Sequence, residues 1–113
     1  MANAGRGAPE KILQDKVIHL AKMNGFMVQH SRPVKQADGR WLTAIQGDAG
    51  FVDLVLAHRE RGVLFVELKS DQGRLSPGQK AWQNALAPHV EWVCIREADL
   101  PWLAKRLSGA PIR

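Results

Sequence analysis

Two apolar runs, "FVDLVLA" (51–57) and "VLFVELK" (63–69), joined by "HRERG", constrain this chain more than any other feature. Runs of Val, Leu and Phe around a short Gly-terminated connection predict two antiparallel strands paired as a hairpin. Neither run alternates apolar with polar residues, so the sheet they form is expected to be covered on both faces. Three ionisable side chains nevertheless lie inside them: Asp53, Glu67 and Lys69. Charges in such runs are costly unless something partners them.

The hairpin register relates the three. With the turn at 58–62, opposed residues carry numbers adding to about 120 by the pairing rule for antiparallel strands. Asp53 then faces Glu67 across the pair, on one face and at one end of the sheet. Lys69 shares the face of Glu67, about 7 Å further along the strand. A slip of one residue would turn Glu67 to the opposite face. Two carboxylates about 4 Å apart repel by about 4 kcal/mol at an effective dielectric near 20, so such a pair either keeps a proton or binds a cation. Carboxylates and water are the ligands Mg²⁺ prefers. Lys69 beside the ion would orient a water, help it lose a proton, or steady a phosphate oxygen. The plain alternative is an Asp entering one strand and a solvated Glu–Lys pair leaving the next.

Elsewhere the pattern is that of one small α/β domain, since 113 residues bury one core and not two. Residues 1–8 are rich in Gly and Ala and are expected to be disordered, leaving a single domain over 9–113. Pro9 suits the first position of a helix. Advancing 100° per residue, Glu10, Leu13, Gln14, Val17 and Ala21 share one face, while Lys11, Asp15, His19 and Lys22 form the wet one. Gly25 ends the helix. A short strand at 26–30, a loop or loose hairpin at 31–40, a returning strand at 41–45 and a turn at 46–50 precede the central hairpin. After it, Ser76, Pro77 and Gln79 spell a capping box that opens a helix over 76–87. A strand at 90–95 and a helix at 99–107, capped by Asp99, complete the order α-β-(β)-β-β-α-β-α.

Lys and Arg outnumber Asp and Glu by 16 to 11, a net charge of +5 that suits a polyanion such as nucleic acid. Arg32, Lys35, Arg40, Arg74 and Lys80 fall in loops or at a helix start near the charged end of the hairpin, as candidates for phosphate contacts. Any one of them alone reads as a solvated cation. The single cysteine, Cys94, excludes an intrachain disulfide and reads as a buried, inert thiol. With four scattered histidines it offers no zinc spacing, so a metal here should be a hard ion held by oxygen. His30 and His58 read as surface residues, Trp41 as a core residue with stacking on a base as the alternative, and Trp82, Trp92 and Trp102 as core. No apolar run approaches the ~20 residues that span a bilayer, and "MANAGRGAPEK" lacks the apolar segment of a secretory signal. A cytoplasmic location is expected.

The stretch "GDAGFVDLVLAHRERGVLFVELKSDQGRLSPGQKAWQNAL" resembles the VRR-NUC branch of the PD-(D/E)XK nuclease superfamily. The likeness rests on Gly50 to Asp53, on Glu67 to Lys69, and on Leu75, Ser76, Gln79 and Trp82, matching an "LSxxQxxW" helix start, and it extends over roughly 9–107. One position departs: Val52 stands where the family usually has Pro, which should touch local rigidity more than chemistry. The resemblance implies the restriction-endonuclease-like core α-β-β-β-α-β, a mixed sheet flanked by helices. It further implies that Asp53 and Glu67 bind Mg²⁺ or Mn²⁺ with the backbone carbonyl of Leu68, and that Lys69 is the catalytic lysine. Glu10 corresponds to a first-helix acid that reaches the metal or its waters; the alternative is a carboxylate favoured by the helix dipole. Gln79 corresponds to a residue beside the active site, and the capping box explains it equally.

The resulting expectation is a metal-dependent DNA endonuclease of the stand-alone bacterial or phage type. Stand-alone members resemble Holliday-junction resolvases, so a homodimer selective for branched DNA is expected, acting in replication, recombination or repair. A nonspecific nuclease or nickase, and a catalytically silent nucleic-acid-binding module, are the alternatives.

Overall fold

The computed structural model of the chain describes residues 2–31, 34–35, 37–42 and 46–110, with side chains from Glu10 onward except at 34–35 and 41–42. The first helix, α1, spans Ala2–Met23. It starts before Pro9, so residues 2–8, expected to be disordered, are helical; Ala2, Ala4 and Ala8 are the strongest helix formers in that stretch. From Glu10 onward the two faces match the periodicity. Leu13, Val17 and Ala21 are buried, and Lys11, Asp15, His19 and Lys22 are exposed.

Among the described residues six strands follow: β1 (Met27–His30), β2 (Val34–Lys35), β3 (Trp41–Leu42), β4 (Leu54–His58), β5 (Gly62–Leu68) and β6 (Glu91–Ile95). β2 and β3 pair with each other as a small antiparallel hairpin; the expected strand at 41–45 is described only over Trp41–Leu42. The main sheet runs β1-β4-β5-β6, antiparallel except for the parallel β5–β6 pair. A parallel pair needs a crossover connection, and here helix α2 (Pro77–Leu86) supplies it. A 3₁₀ turn (Glu97–Asp99) leads from β6 into α3 (Leu100–Ser108). The carboxylate of Asp99 accepts the backbone N–H of Arg96 at 2.8 Å and closes that turn, so it does not cap α3 as expected. The fold is α/β, a four-stranded mixed sheet flanked by helices, as the sequence predicts.

Alternation along the strands decides which residues form the core. Leu54 and Leu56 of β4, Leu64, Val66 and Leu68 of β5, and Ile95 of β6 pack with Leu13, Val17 and Ala21 of α1, Phe26, and Leu103 and Leu107 of α3. The opposite face departs from expectation. A single helix of 10 residues, about 15 Å long, covers it, and α2 packs against β6 rather than across all four strands. Phe51 fills the gap by meeting Phe65 and Trp82 edge-on, with ring centroids 6.1 and 4.9 Å apart. At the uncovered end, Met27 is 75% exposed and Val63 43%, so the apolar second face of these strands is only half buried. Trp102 is likewise a surface residue, and the half-buried Trp82 and Trp92 also lie outside the core expected to hold them.

The hairpin turn is built by its own side chains. The imidazole Nδ1 of His58 accepts the N–H groups of Glu60 and Arg61 at 3.0 and 3.2 Å, giving a half-buried His58 a structural task. Arg61 then donates through Nη1 to the carbonyls of Asn24 and Leu107, at 3.1 and 3.0 Å. One guanidinium thus serves the C-terminal ends of α1 and α3 together, where the helix dipoles favour a cation. Arg61→Ala is expected to cost about 1.5–3 kcal/mol, the range for hydrogen bonds to a charged group. Urea unfolding would show it as a lower midpoint at unchanged slope.

Candidate active site

Asp53 stands immediately before β4, and the observed pairs Leu54↔Val66, Val55↔Phe65 and Leu56↔Leu64 place it opposite Glu67. This is the register expected from the turn. Its Oδ2 accepts the backbone N–H of Leu68 at 2.8 Å, extending the ladder by a side-chain bond at the end of the strand pair. Among the described residues Glu67 is the most deeply buried charged one, 1% exposed, and its carboxyl lies within hydrogen-bonding reach of that of Asp53. On its other side in the sheet it neighbours Cys94 of β6.

Two carboxyls confined this way cannot both be charged cheaply. Burial first, and then the charge and hydrogen bond of Asp53, push the carboxyl of Glu67 up to about 8; Lys69 pulls it down and Glu10 adds a smaller push upward. The metal-free protein at neutral pH therefore keeps a proton on this pair. Lys69, 6% exposed, follows β5 and borders a cavity of about 290 Å³ shared with Ile12 and Leu13 of α1, Ser70, Asp71 and Glu97. Burial also raises the Cys94 thiol, which keeps it protonated and unreactive, although it is half-buried rather than in the core.

Gln79 makes two sets of contacts, one for each end of its side-chain amide. Its Oε1 accepts the N–H of Ser76 at 2.8 Å while Ser76 Oγ accepts the N–H of Gln79 at 3.2 Å, completing the capping box. Its Nε2 meanwhile donates to Glu67 Oε2 at 2.8 Å. The helix start and the carboxyl pair are therefore one unit. That contact depends on two glycines. Gly50 has φ +99°, and a Cβ there would lie 2.5 Å from the carbonyl carbon of Gly78; a Cβ on Gly78 would meet the Ala49 carbonyl at 3.0 Å. Loop 49–50 and the first turn of α2 touch backbone to backbone.

The other candidates are placed as follows. Glu10 is half-buried and close enough to influence Glu67, and it is not in the first turn of α1, so the dipole does not explain it. Among the described residues, no three His, Cys, Asp or Glu side chains gather as a metal cluster. Asp53 and Glu67 thus stand as a pair, with Leu68 offering backbone alone. Arg74 and Lys80 are exposed, whereas Arg40 is tied to Asp38 at 2.8 Å. The side chains of Arg32, Lys35 and Trp41 lie outside the described residues. Sequence reasoning missed Arg96, whose Nη1 donates to the carbonyl of Ser70 and, at 3.4 Å, to that of Asp71, fastening the loop that follows Lys69. It also missed Gly78, for which a glycine in the first turn of a helix was the available signal.

The family model described as the VRR-NUC domain matches residues 13–96. The chain belongs to the VRR-NUC family. That span contains Asp53, Glu67, Lys69 and Gln79 and leaves Glu10 just outside. No curated protein and no solved structure matches the chain. Membership carries a nuclease-type function, with DNA as the class of substrate. Among the described residues no helix is long and apolar enough to cross a membrane.

Proposed function

We propose that this VRR-NUC protein is a Mg²⁺- or Mn²⁺-dependent DNA endonuclease that hydrolyses phosphodiesters at the Asp53–Glu67 pair. The observation that carries the reading is that pair itself: a buried Glu67 opposed to a half-buried Asp53, fixed by the Leu68 N–H on one side and Gln79 on the other. The donor set fits a hard divalent ion, because a cation relieves the repulsion that otherwise retains a proton there. Asp53 and Glu67 would hold it, with the Leu68 carbonyl adding an oxygen and Glu10 acting through waters. When bound, such an ion supplies a Lewis acid that neutralises charge developing on the phosphate. Lys69 orients the attacking water, or steadies a phosphate oxygen, from the strand end beside Glu67. Gln79 occupies one oxygen of Glu67 and so fixes the direction of the other. Arg32, Lys35, Arg40, Arg74 and Lys80 are proposed to contact DNA phosphates.

The finer reading is a cytoplasmic homodimer selective for branched DNA, as in resolving four-way junctions during replication, recombination or repair in a bacterium or phage-infected cell. The net charge of +5 supports the polyanionic partner. The test incubates purified protein with four-way junction, flap, duplex and single-stranded DNA in Mg²⁺, Mn²⁺ or EDTA. Cleavage is expected only with metal, and to fall at least about 100-fold in Asp53→Ala and Lys69→Ala, the scale of losing one transition-state contact. Metal-independent cutting, or cutting untouched by both substitutions, overturns the mechanism. Binding without cutting would make the chain a silent module. Equal cutting of duplex and junction removes the junction selectivity alone, and sedimentation decides the dimer.

A further inference from the structure

A cleft of about 310 Å³ opens on the flank of α2, between that helix and loop 48–49. Gly78, Ala81 and Ala85 form its helical wall, Trp82 lies along it, and Asp48 and Ala49 close the far side. Ala81 and Ala85 are one helical turn apart and carry nothing beyond Cβ, which leaves a flat strip on an exposed part of the helix. The indole of Trp82 is held in place: its Nε1 donates to the Asp48 carbonyl at 3.3 Å, and its ring meets Phe51 edge-on. The cleft is mostly apolar, and among the described residues its lining holds one acidic residue, Asp48, and no cation.

We propose that this cleft receives one unpaired nucleobase of the DNA, stacked along Trp82; the proposal rests on the nuclease reading and deepens it. Three features select that occupant. An aromatic wall with a flat apolar floor suits a planar π-face, and stacking on aromatic side chains is how single-stranded bases are held irrespective of sequence. Asp48 repels a phosphate and accepts from an exocyclic amino group, as acidic side chains do from cytosine. The position also fits a strand bound at the carboxyl pair. No more than about 18 Å of extended chain separates Asp48 from Asp53, and Gln79, bonded to Glu67, lies one helical turn before Trp82. A base within a paired duplex cannot enter such a slot, so the cleft would favour DNA with an unpaired nucleotide near the scissile phosphate.

The test measures binding by fluorescence anisotropy, in EDTA, to forked DNA whose single-stranded arm carries one abasic site moved position by position. One position is expected to weaken binding roughly 5- to 150-fold, the factor that corresponds to loss of one stacked base. Ala85→Leu fills the cleft from an exposed helical position, where Leu is a good helix former, and a thermal melt checks that the variant folds. It should reduce the ratio of forked to fully paired affinity by the same factor and flatten the abasic scan. Asp48→Ala should erase any preference for cytosine or adenine over thymine at that position. A flat scan in the wild-type protein, or an Ala85→Leu variant that keeps the positional dependence, overturns the proposal. So does a flat scan with Ala85→Leu converting a dimer to a monomer, which would make the cleft a protein interface. The nuclease reading is judged separately: a wild-type protein that cuts DNA with a flat scan loses the subsite alone, and one that cuts nothing but shows the dependence keeps it.

Discussion

Replacing Glu67 by Gln is expected to reduce metal-dependent DNA cleavage by at least about 100-fold while leaving the metal-free protein as stable as the wild type or more so. Gln has the shape of protonated Glu. Its carbonyl oxygen can accept from Gln79 Nε2, and its amide can donate to Asp53 where the wild type uses the retained proton. What disappears is the second negative charge that would hold the proposed divalent ion. The pH dependence separates this from simple damage. Unfolded Glu67 releases its proton near 4.5, whereas in the fold it holds it up to about 8. Between those values the folded state binds more protons than the unfolded one, so metal-free stability should fall as pH rises from 4.5 to 8 and then level off. Thermal melts in EDTA across pH 5–9 should show that decline in the wild type and lose it in Glu67→Gln. Metal binding must displace the same proton, so Mg²⁺ affinity should tighten about tenfold per pH unit up to about 8. A variant that still cleaves, or that keeps the full pH slope, would sink the paired-carboxylate mechanism.

Gly50→Ala should damage both stability and cleavage. Its φ of +99° disfavours any side chain, and a Cβ there would lie 2.5, 2.7 and 2.8 Å from Gly78 C, Gln79 N and Gly78 O. Those neighbours are backbone atoms in the first turn of α2 and cannot rotate away. Loop 49–50 and the helix must part, at a cost of about 2–4 kcal/mol. Because Gln79 reaches Glu67 from that same turn, cleavage should fall about 100-fold even below the melting temperature, as expected for a misplacement near 1 Å. Gly47→Ala is the internal control. Gly47 also has positive φ, +117°, but among the described residues nothing lies within 4 Å of a Cβ there. It should cost only about 1–2 kcal/mol of backbone strain and leave cleavage intact. Denaturation midpoints and single-turnover rates for the two variants test the claim, and similar behaviour of both would refute the close-approach argument.

Much of the candidate site's geometry was legible because its determinants are local. A turn of fixed length at 58–62 sets the register that brings Asp53 to Glu67, and alternation along β5 does the rest. Ser76, Pro77 and Gln79 announce a helix start by spacing alone, and the structure realises it atom for atom. Errors arose wherever a residue's fate depends on what another element covers. Trp102 sits in a periodic apolar pattern, yet its α3 position faces outward. The second face of the hairpin looks as apolar as the first, but α2, the helix laid on it, is too short to hide Met27 and Val63. Asp99 precedes a helix as a cap should, and its carboxylate instead closes the turn before it.

The sequence by itself determined the strands, their register, the charged end of the sheet and the start of α2, because hydrophobic period, turn length and capping act over a few residues. Only the tertiary structure decided that Gln79 touches Glu67, that Gly50 and Gly78 share one space, and that Arg61 serves the ends of α1 and α3 at once. Those contacts join segments far apart in the chain. Their geometry follows from how whole elements pack, which no local pattern of residues encodes.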